Sequence, residues 1–235
     1  SERILAQPVD LITVRELAGG IYFSQPKGMT DDEGYDTERY NRNEIRRIAK
    51  VAFETARLRR GKVTSVDKAN VLYSSMVWRK VVTEMAAEYT DIEFNTMYVD
   101  NAAMQLILNP SQFDVILTTN MFGDILSDET AAIVGSLGLL PSISLGDRIH
   151  LFEPAGGSAP DIAGQGLANP VAQILSAALM FQYSFDRPDI GSAIHQAVAQ
   201  TLGAGFFTRD LQAQDSISTS EMGDRILAAL EKIEI

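Results

Sequence analysis

Short apolar runs alternate with helical patterns across residues 11–135, and this alternation restricts the fold more than any other feature of the chain. Residues 11–14 (Leu-Ile-Thr-Val) read as a buried strand and residues 21–23 (Ile-Tyr-Phe) as a second. The Gly- and Asp-rich stretch 27–34 reads as a turn, with 35–40 returning as its hairpin partner. Residues 44–60 carry a helical stripe of Ile45, Ile48, Ala49, Ala52 and Phe53, with Gly61 at the stop. A strand at 62–66, a helix at 70–89, a strand at 92–99, a helix at 102–108, a strand at 115–119 and a helix at 121–135 follow. Strands separated by helices pair in parallel, so the expected class is α/β.

After residue 135 the character changes. Residues 131–140 are apolar and Gly-rich, a Gly/Ala/Pro loop fills 154–170, and helical patterns cover 171–183, 190–203 and 221–233. Only 142–145 and 150–152 read as strands. Two domains are therefore expected, 1–134 and 135–235. Helices this apolar need a sheet to cover, and the second domain supplies little strand, so part of that domain is expected to lie outside these 235 residues.

Composition removes several kinds of chemistry. The chain has no cysteine, which excludes disulfides, thiolate zinc sites and cysteine nucleophiles. Its net charge of −11 argues against a general nucleic-acid surface. No apolar run reaches the length of a membrane span and no signal-peptide pattern opens the sequence, so a cytoplasmic protein is expected. The two histidines are His150, without an obvious partner, and His195, within a helical pattern. Carboxylates, lysine, tyrosine or a cofactor must carry any reaction.

Asp124 and Asp128 stand four apart on one face of the 121–135 helix, where like charges repel unless a cation lies between them. Asp100, at the end of an apolar run, could add a third oxygen ligand for Mg²⁺ or Mn²⁺. The other reading is a solvated acidic first turn favoured by the helix dipole. Lys68 sits at a strand-to-helix junction beside Asn70, a candidate N-cap, where it is either a proton-transfer group or a surface lysine. Arg15 leaves an apolar strand before Gly19 and Gly20 and could fork onto a substrate carboxylate. Tyr22 is either a proton donor or an ordinary strand aromatic. The 153–170 loop matches neither a P-loop nor the Rossmann glycine spacing. It could still wrap a nucleotide, with Asp161 accepting from a ribose diol, or it is a turn-rich connection.

Taken together, the segments RELAGGIYF (15–23), VDKANV (66–71), YVDNAAMQL (98–106), NMFGDILSDE (120–129) and GGSAPDIAG (156–164) closely resemble, in order, the isopropylmalate dehydrogenases. These belong to the metal-dependent β-decarboxylating dehydrogenases, with the isocitrate, tartrate/D-malate and homoisocitrate enzymes. The resemblance covers essentially the whole chain. It implies an isopropylmalate dehydrogenase-like two-domain α/β fold, with a complete arm and dimerisation domain over 1–134. Residues 135–235 would be the C-terminal half of a dinucleotide-binding domain.

By the same resemblance, Asp100, Asp124 and Asp128 would hold Mg²⁺ or Mn²⁺, and Arg15, Val71 and Asp100 would meet the substrate. Lys68 would take the hydroxyl proton and Tyr22 would protonate the enolate. Asn70 would lie beside the nicotinamide of NAD. Gly157, Ser158, Ala159, Pro160, Asp161, Ile162 and Asn169 would bind its adenosine end. A homodimer is implied, with Lys68 and Asp100 contributed across the interface, and with no nucleic-acid or membrane partner. Family members carry roughly another third of chain ahead of the point matching Ser1, including further substrate-binding arginines. The expectation is therefore an NAD-dependent oxidative decarboxylase of 3-isopropylmalate in leucine biosynthesis whose 235 residues are inactive alone. The alternatives are tartrate/D-malate dehydrogenase and a non-catalytic dimerising fragment.

Overall fold

A computed structural model describes residues 8–235. The chain divides into two compact units, one ending at Ile133 and one running from Val134 to Ile235.

The first unit is built on a four-stranded parallel sheet of β1 (Ile12–Arg15), β4 (Lys62–Asp67), β5 (Glu93–Tyr98) and β6 (Val115–Thr118), in the order β1-β6-β4-β5. The helices are α1 (Arg42–Arg57), α2 (Tyr73–Ala86), α3 (Val99–Leu108) and α4 (Asn120–Val134). All four β6 residues are buried, because a central parallel strand has layers on both faces. Side chains alternate between those faces. Val115 and Leu117 join Ile45, Phe53 and Trp78 on one, while Ile116 joins Ala102, Leu106, Phe113 and Leu126 on the other. Helix α1 begins with a capping box, in which Asn41 accepts from the Glu44 amide and the Glu44 side chain accepts from the Asn41 amide.

Four local expectations are corrected. Residues 21–23 form a turn rather than a strand: Gly20 has φ +77°, and its carbonyl accepts from the amides of Phe23 and Ser24. The hairpin is shorter and shifted, with β2 (Gly28–Met29) pairing β3 (Gly34–Tyr35), so residues 36–40 are irregular. Asn70 caps no helix. It lies in a turn closed by the Val71 and Leu72 amides on the Lys68 carbonyl, and α2 starts at Tyr73 with Leu72 as its N-cap. Finally, α4 has no acidic residue in its first turn, since Asp124 is its fifth residue. The helix dipole acts over the first turn, so it does not account for this acid pair.

In the second unit β7 (Pro141–Leu145) and β8 (His150–Pro154) form an antiparallel hairpin, with Ser142 opposite Glu153 and Ser144 opposite Leu151. Helix α5 (Val171–Ser184) packs on both strands, and α6 (Pro188–Gly203) packs on α5 and on α7 (Thr219–Leu230). Val171, Leu175, Ala197, Val198, Met222 and Ile226 are its core. Among the described residues no helix is long and apolar enough to cross a membrane.

Candidate active site

Because the sheet is parallel, the last residues of its strands lie along one edge: Arg15 of β1, Thr118 of β6, Asp67 of β4 and Tyr98 of β5. Open α/β sheets bind ligands outside such carboxyl ends. Two side-chain networks form there.

The first network centres on Asp124. Arg15 donates through Nη1 to Asp124 Oδ1 at 2.6 Å, and through Nε and Nη2 to Asn120 Oδ1 at 3.0 and 2.8 Å. Tyr22 donates its hydroxyl to Asp124 Oδ2 at 2.7 Å. Gly123 is what lets Arg15 lie across α4, since a Cβ there would stand 2.6 Å from Arg15 Cγ. Asn120 is buried and fully engaged. Its Nδ2 donates to the carbonyls of Leu17 and Gly19, and its amide donates to the Tyr40 hydroxyl. Behind Arg15, buried Glu16 accepts from the Ala18 and Gly19 amides and from Arg47. The bond to Asp124 pushes the Tyr22 pKa up, helped by burial and by the charges of Asp124 and Asp128, with Arg15 pulling the other way.

The second network joins Lys68 and Asp100, with Nζ to Oδ1 at 2.5 Å. Asp100 lies in the first turn of α3, and the Lys68 bond holds its carboxyl below the usual range. Next to it, Asp67 is fully buried and bound through both oxygens by Arg79. Asn70 and Val71 are exposed on the adjoining turn. No hydrogen bond or ion pair found among the described residues joins the two networks.

For a hard divalent cation the donor chemistry fits in part. Asp124 and Asp128 present carboxylate oxygens from one face of α4, the ligand type that Mg²⁺ and Mn²⁺ select. Arg15 and Tyr22 each occupy one lone pair on an Asp124 oxygen, which leaves a second lone pair on each oxygen. Asp100 is engaged elsewhere, and among the described residues no group of three or more Asp, Glu, His or Cys is placed to hold an ion.

In the second unit the 157–169 loop is mostly exposed and shaped by its backbone. Ala159 has φ +43°, Pro160–Ile162 forms a 3₁₀ turn, and Gln165 donates to the Asp161 carbonyl. Asp161, Ser158 and Gly157 face solvent, so the Asp161 carboxylate is open to accept from a ribose diol. Asn169 behaves differently. Its Oδ1 accepts from the Val171 amide and its Nδ2 donates to Asp210 Oδ2 at 3.0 Å. Asp210 also accepts from Ser136 and, at 2.6 Å, from Thr208. Burial pushes the Asp210 pKa up, but these hydrogen bonds outweigh it and hold the carboxyl below its usual range.

Sequence patterns flagged neither Asp210, Asn120, Glu16 nor Arg79 as functional. Of these, Asn120 and Glu16 stand inside the quoted motifs, and Arg79 is one residue beyond the only tryptophan.

Comparison with known proteins agrees with the fold. The family model for isocitrate/isopropylmalate dehydrogenase matches residues 1–226. The 3-isopropylmalate dehydrogenase of Thermotoga maritima is 60% identical over 234 residues, covering 99% of this chain and 66% of that protein. That of Escherichia coli O157:H7 is 58% identical, covering 95% of this chain and 63% of the relative. The chain thus spans slightly under two thirds of these relatives. The crystal structure of isocitrate dehydrogenase from Methylococcus capsulatus superposes with a TM-score of 0.90 at 38% identity, over 95% of this chain and 68% of its own. The TT0538 protein from Thermus thermophilus also gives 0.90, at 35% identity, over 96% of this chain and 46% of its own.

Proposed function

The chain belongs to the isocitrate/isopropylmalate dehydrogenase family, and from that premise we propose that it carries the active-site residues of an NAD-dependent 3-isopropylmalate dehydrogenase of leucine biosynthesis, acting in the cytoplasm. The observation that carries this reading is the Arg15–Asp124–Tyr22 network at the carboxyl edge of a parallel sheet.

Each residue's part follows from its chemistry. Arg15, with its planar fork, exchanges Asn120 and Asp124 for a substrate carboxylate. Lys68 accepts the proton of the substrate hydroxyl, and bound NAD⁺ would supply the acceptor for the C–H hydride, giving a β-keto acid that can lose CO₂. Tyr22, which Asp124 holds protonated, returns a proton to the enolate carbon. Asp124 and Asp128, with Asp100 from a second copy, would hold a divalent cation, which would supply Lewis acidity for the oxidation and the decarboxylation. Asp161 and its loop would hold the adenosine ribose of NAD, the carboxylate accepting from the diol. A homodimer completes the site. In support, Lys68 and Asp100 stand in their own network, and Met104, Ile107 and Leu108 of α3 are exposed apolar side chains.

The test is NADH formation with Mg²⁺ or Mn²⁺, offering 3-isopropylmalate, D-malate and tartrate separately. It is run on this chain alone and on this chain joined to the stretch of the Thermotoga maritima relative that it does not cover. Turnover of 3-isopropylmalate by the joined protein alone is the expected result. Preference for D-malate or tartrate would move the substrate assignment, and no turnover by either protein would overturn the reading.

A further inference from the structure

We propose that Arg79 is a positioning residue for Lys68, acting through a clamp that α2 places across the ends of β4 and β5. The inference rests on the reading of Lys68 as a proton-transfer group.

Asp67 and Tyr98 are register partners and the last residues of their strands. Arg79 binds both at once. Its Nε and Nη2 fork onto the two Asp67 oxygens at 2.9 and 2.8 Å, and its guanidinium carbon lies 4.6 Å from the centre of the Tyr98 ring. The two residues that make the Lys68–Asp100 pair directly follow: Lys68 comes next after Asp67, and Asp100 two after Tyr98. One guanidinium therefore ties together the two backbone stubs from which that pair projects.

The turn between them is pinned as well. Asp67 Oδ1 accepts from the Ala69 amide at 2.9 Å, and Ser75 Oγ accepts from the Lys68 amide at 3.1 Å. Ser75 and Arg79 are four apart on α2 and share one face. The same face thus holds the Lys68 backbone at its own amide and, through Asp67, one residue to either side. Asp67 and Ser75 are fully buried, which limits the access of water to these bonds. A lysine side chain has four rotatable bonds, and its reach is defined only if its backbone is held. Among the described residues Arg79 makes no hydrogen bond or ion pair with Lys68 or with the Arg15–Asp124 network, so its effect passes through position.

The two-pronged fork requires a planar guanidinium, which also stacks best on a ring. Arg79→Lys keeps a positive charge near buried Asp67 but loses the fork, and Tyr98→Leu removes the Tyr98 contacts while leaving the fork. Amide hydrogen exchange on the full chain is the primary readout. In Arg79→Lys the Ala69 and Lys68 amides are expected to exchange at least about tenfold faster, a loss of about 1.4 kcal/mol of local protection. Val66 and other interior β4 amides should stay unchanged. Tyr98→Leu should give a smaller rise at the same two amides. Uniformly faster exchange across β4 and α2, or no change at Ala69, would overturn the clamp. In the active dehydrogenase Arg79→Lys should lower kcat by up to about 10²-fold with the substrate KM little changed, as a misplaced catalytic group does. A rise in KM at constant kcat would equally overturn it. Lys68→Met tests the underlying reading separately: if it retains full turnover, Lys68 is not the proton-transfer group, whatever the exchange data say of Arg79.

Discussion

The two candidate regions are held in place by different means. In the first unit the Arg15, Asp124, Lys68 and Asp100 side chains stand on or next to strand ends and in the first two turns of helices, over a sheet packed on both faces. In the second unit the 157–169 loop is exposed, and its shape comes from backbone turns and from Asp210 at its base. Side chains carried by the framework rest against one another. The exposed loop instead keeps most of its donors and acceptors facing water. Stability and candidate function should therefore be coupled in the first region and separable in the second.

The largest expected effect tests that coupling. Trp78 is fully buried on α2, edge-on to Tyr40, with Nε1 donating to Ser65 Oγ. Trp78→Ala should cost about 3–5 kcal/mol by the cavity it leaves. It should also loosen the helix that carries Ser75 and Arg79. Asp161→Ala, on the exposed loop, should change stability by less than about 0.5 kcal/mol. Denaturant unfolding of both variants measures the difference, and comparable losses would break the contrast.

One change made in both regions sharpens it. At Gly20 the backbone has φ +77°, and a Cβ would stand 1.9 Å from the Tyr40 hydroxyl that accepts from Asn120. Gly20→Ala should cost about 1–3 kcal/mol from overpacking, in addition to about 1–2 kcal/mol for left-handed backbone. At Gly157 a Cβ meets nothing within 4 Å, so Gly157→Ala should be neutral or stabilising by about 0.4–1 kcal/mol. Thermal unfolding should show a clear loss at Gly20 and none at Gly157.

How much of this was legible in sequence depended on the range of the deciding interaction. Helix α1 was readable because its stripe of Ile45, Ala49, Ala52 and Phe53 is set by local period. The parallel sheet was readable from alternation alone. Residues 21–23 were misread because three apolar residues carry no period, and the deciding event was the left-handed turn at Gly20. In the site, Arg15, Tyr22 and Asp124 each carried a chemical signal, but their meeting spans more than a hundred residues and only the fold supplies it. Asp210 had no signal, since a surface aspartate becomes the anchor of a loop only once Ser136, Asn169 and Thr208 converge on it.

Asp210 is where the second region should be most sensitive. Its carboxyl is held below the usual range, so it stabilises the fold above its unfolded pKa near 3.9. That contribution is lost as pH falls through the lower folded value. Asp210→Asn should cost on the order of 1 kcal/mol at neutral pH, a partly exposed share of hydrogen bonds to a charged group. The deficit should shrink in acid as the wild-type carboxylate is protonated. Thermal unfolding from pH 7 to pH 3 measures it, and a deficit constant across that range would remove Asp210 from its anchoring role.

The smallest effect on stability should fall on Tyr22, and it separates stability from proton handling most sharply. Tyr22 is 39% exposed and meets the network chiefly through its hydroxyl on Asp124. Tyr22→Phe should shift stability by less than about 0.5 kcal/mol at neutral pH. Because Asp124 favours the neutral phenol, the folded pKa lies above the unfolded value near 10. The sign follows: the contribution is complete below that value and disappears as pH rises through the folded one. Asp124→Asn removes the carboxylate charge that opposes phenolate formation, so Tyr22 should then ionise at lower pH than in the unaltered chain. Ultraviolet titration of the tyrosines in the unaltered, Tyr22→Phe and Asp124→Asn proteins isolates the transition. If Tyr22 ionised at the same pH with and without the Asp124 carboxylate, that bond would not hold the phenol proton. The first region would then order Tyr22 without tuning it, and would differ from the exposed loop in packing alone.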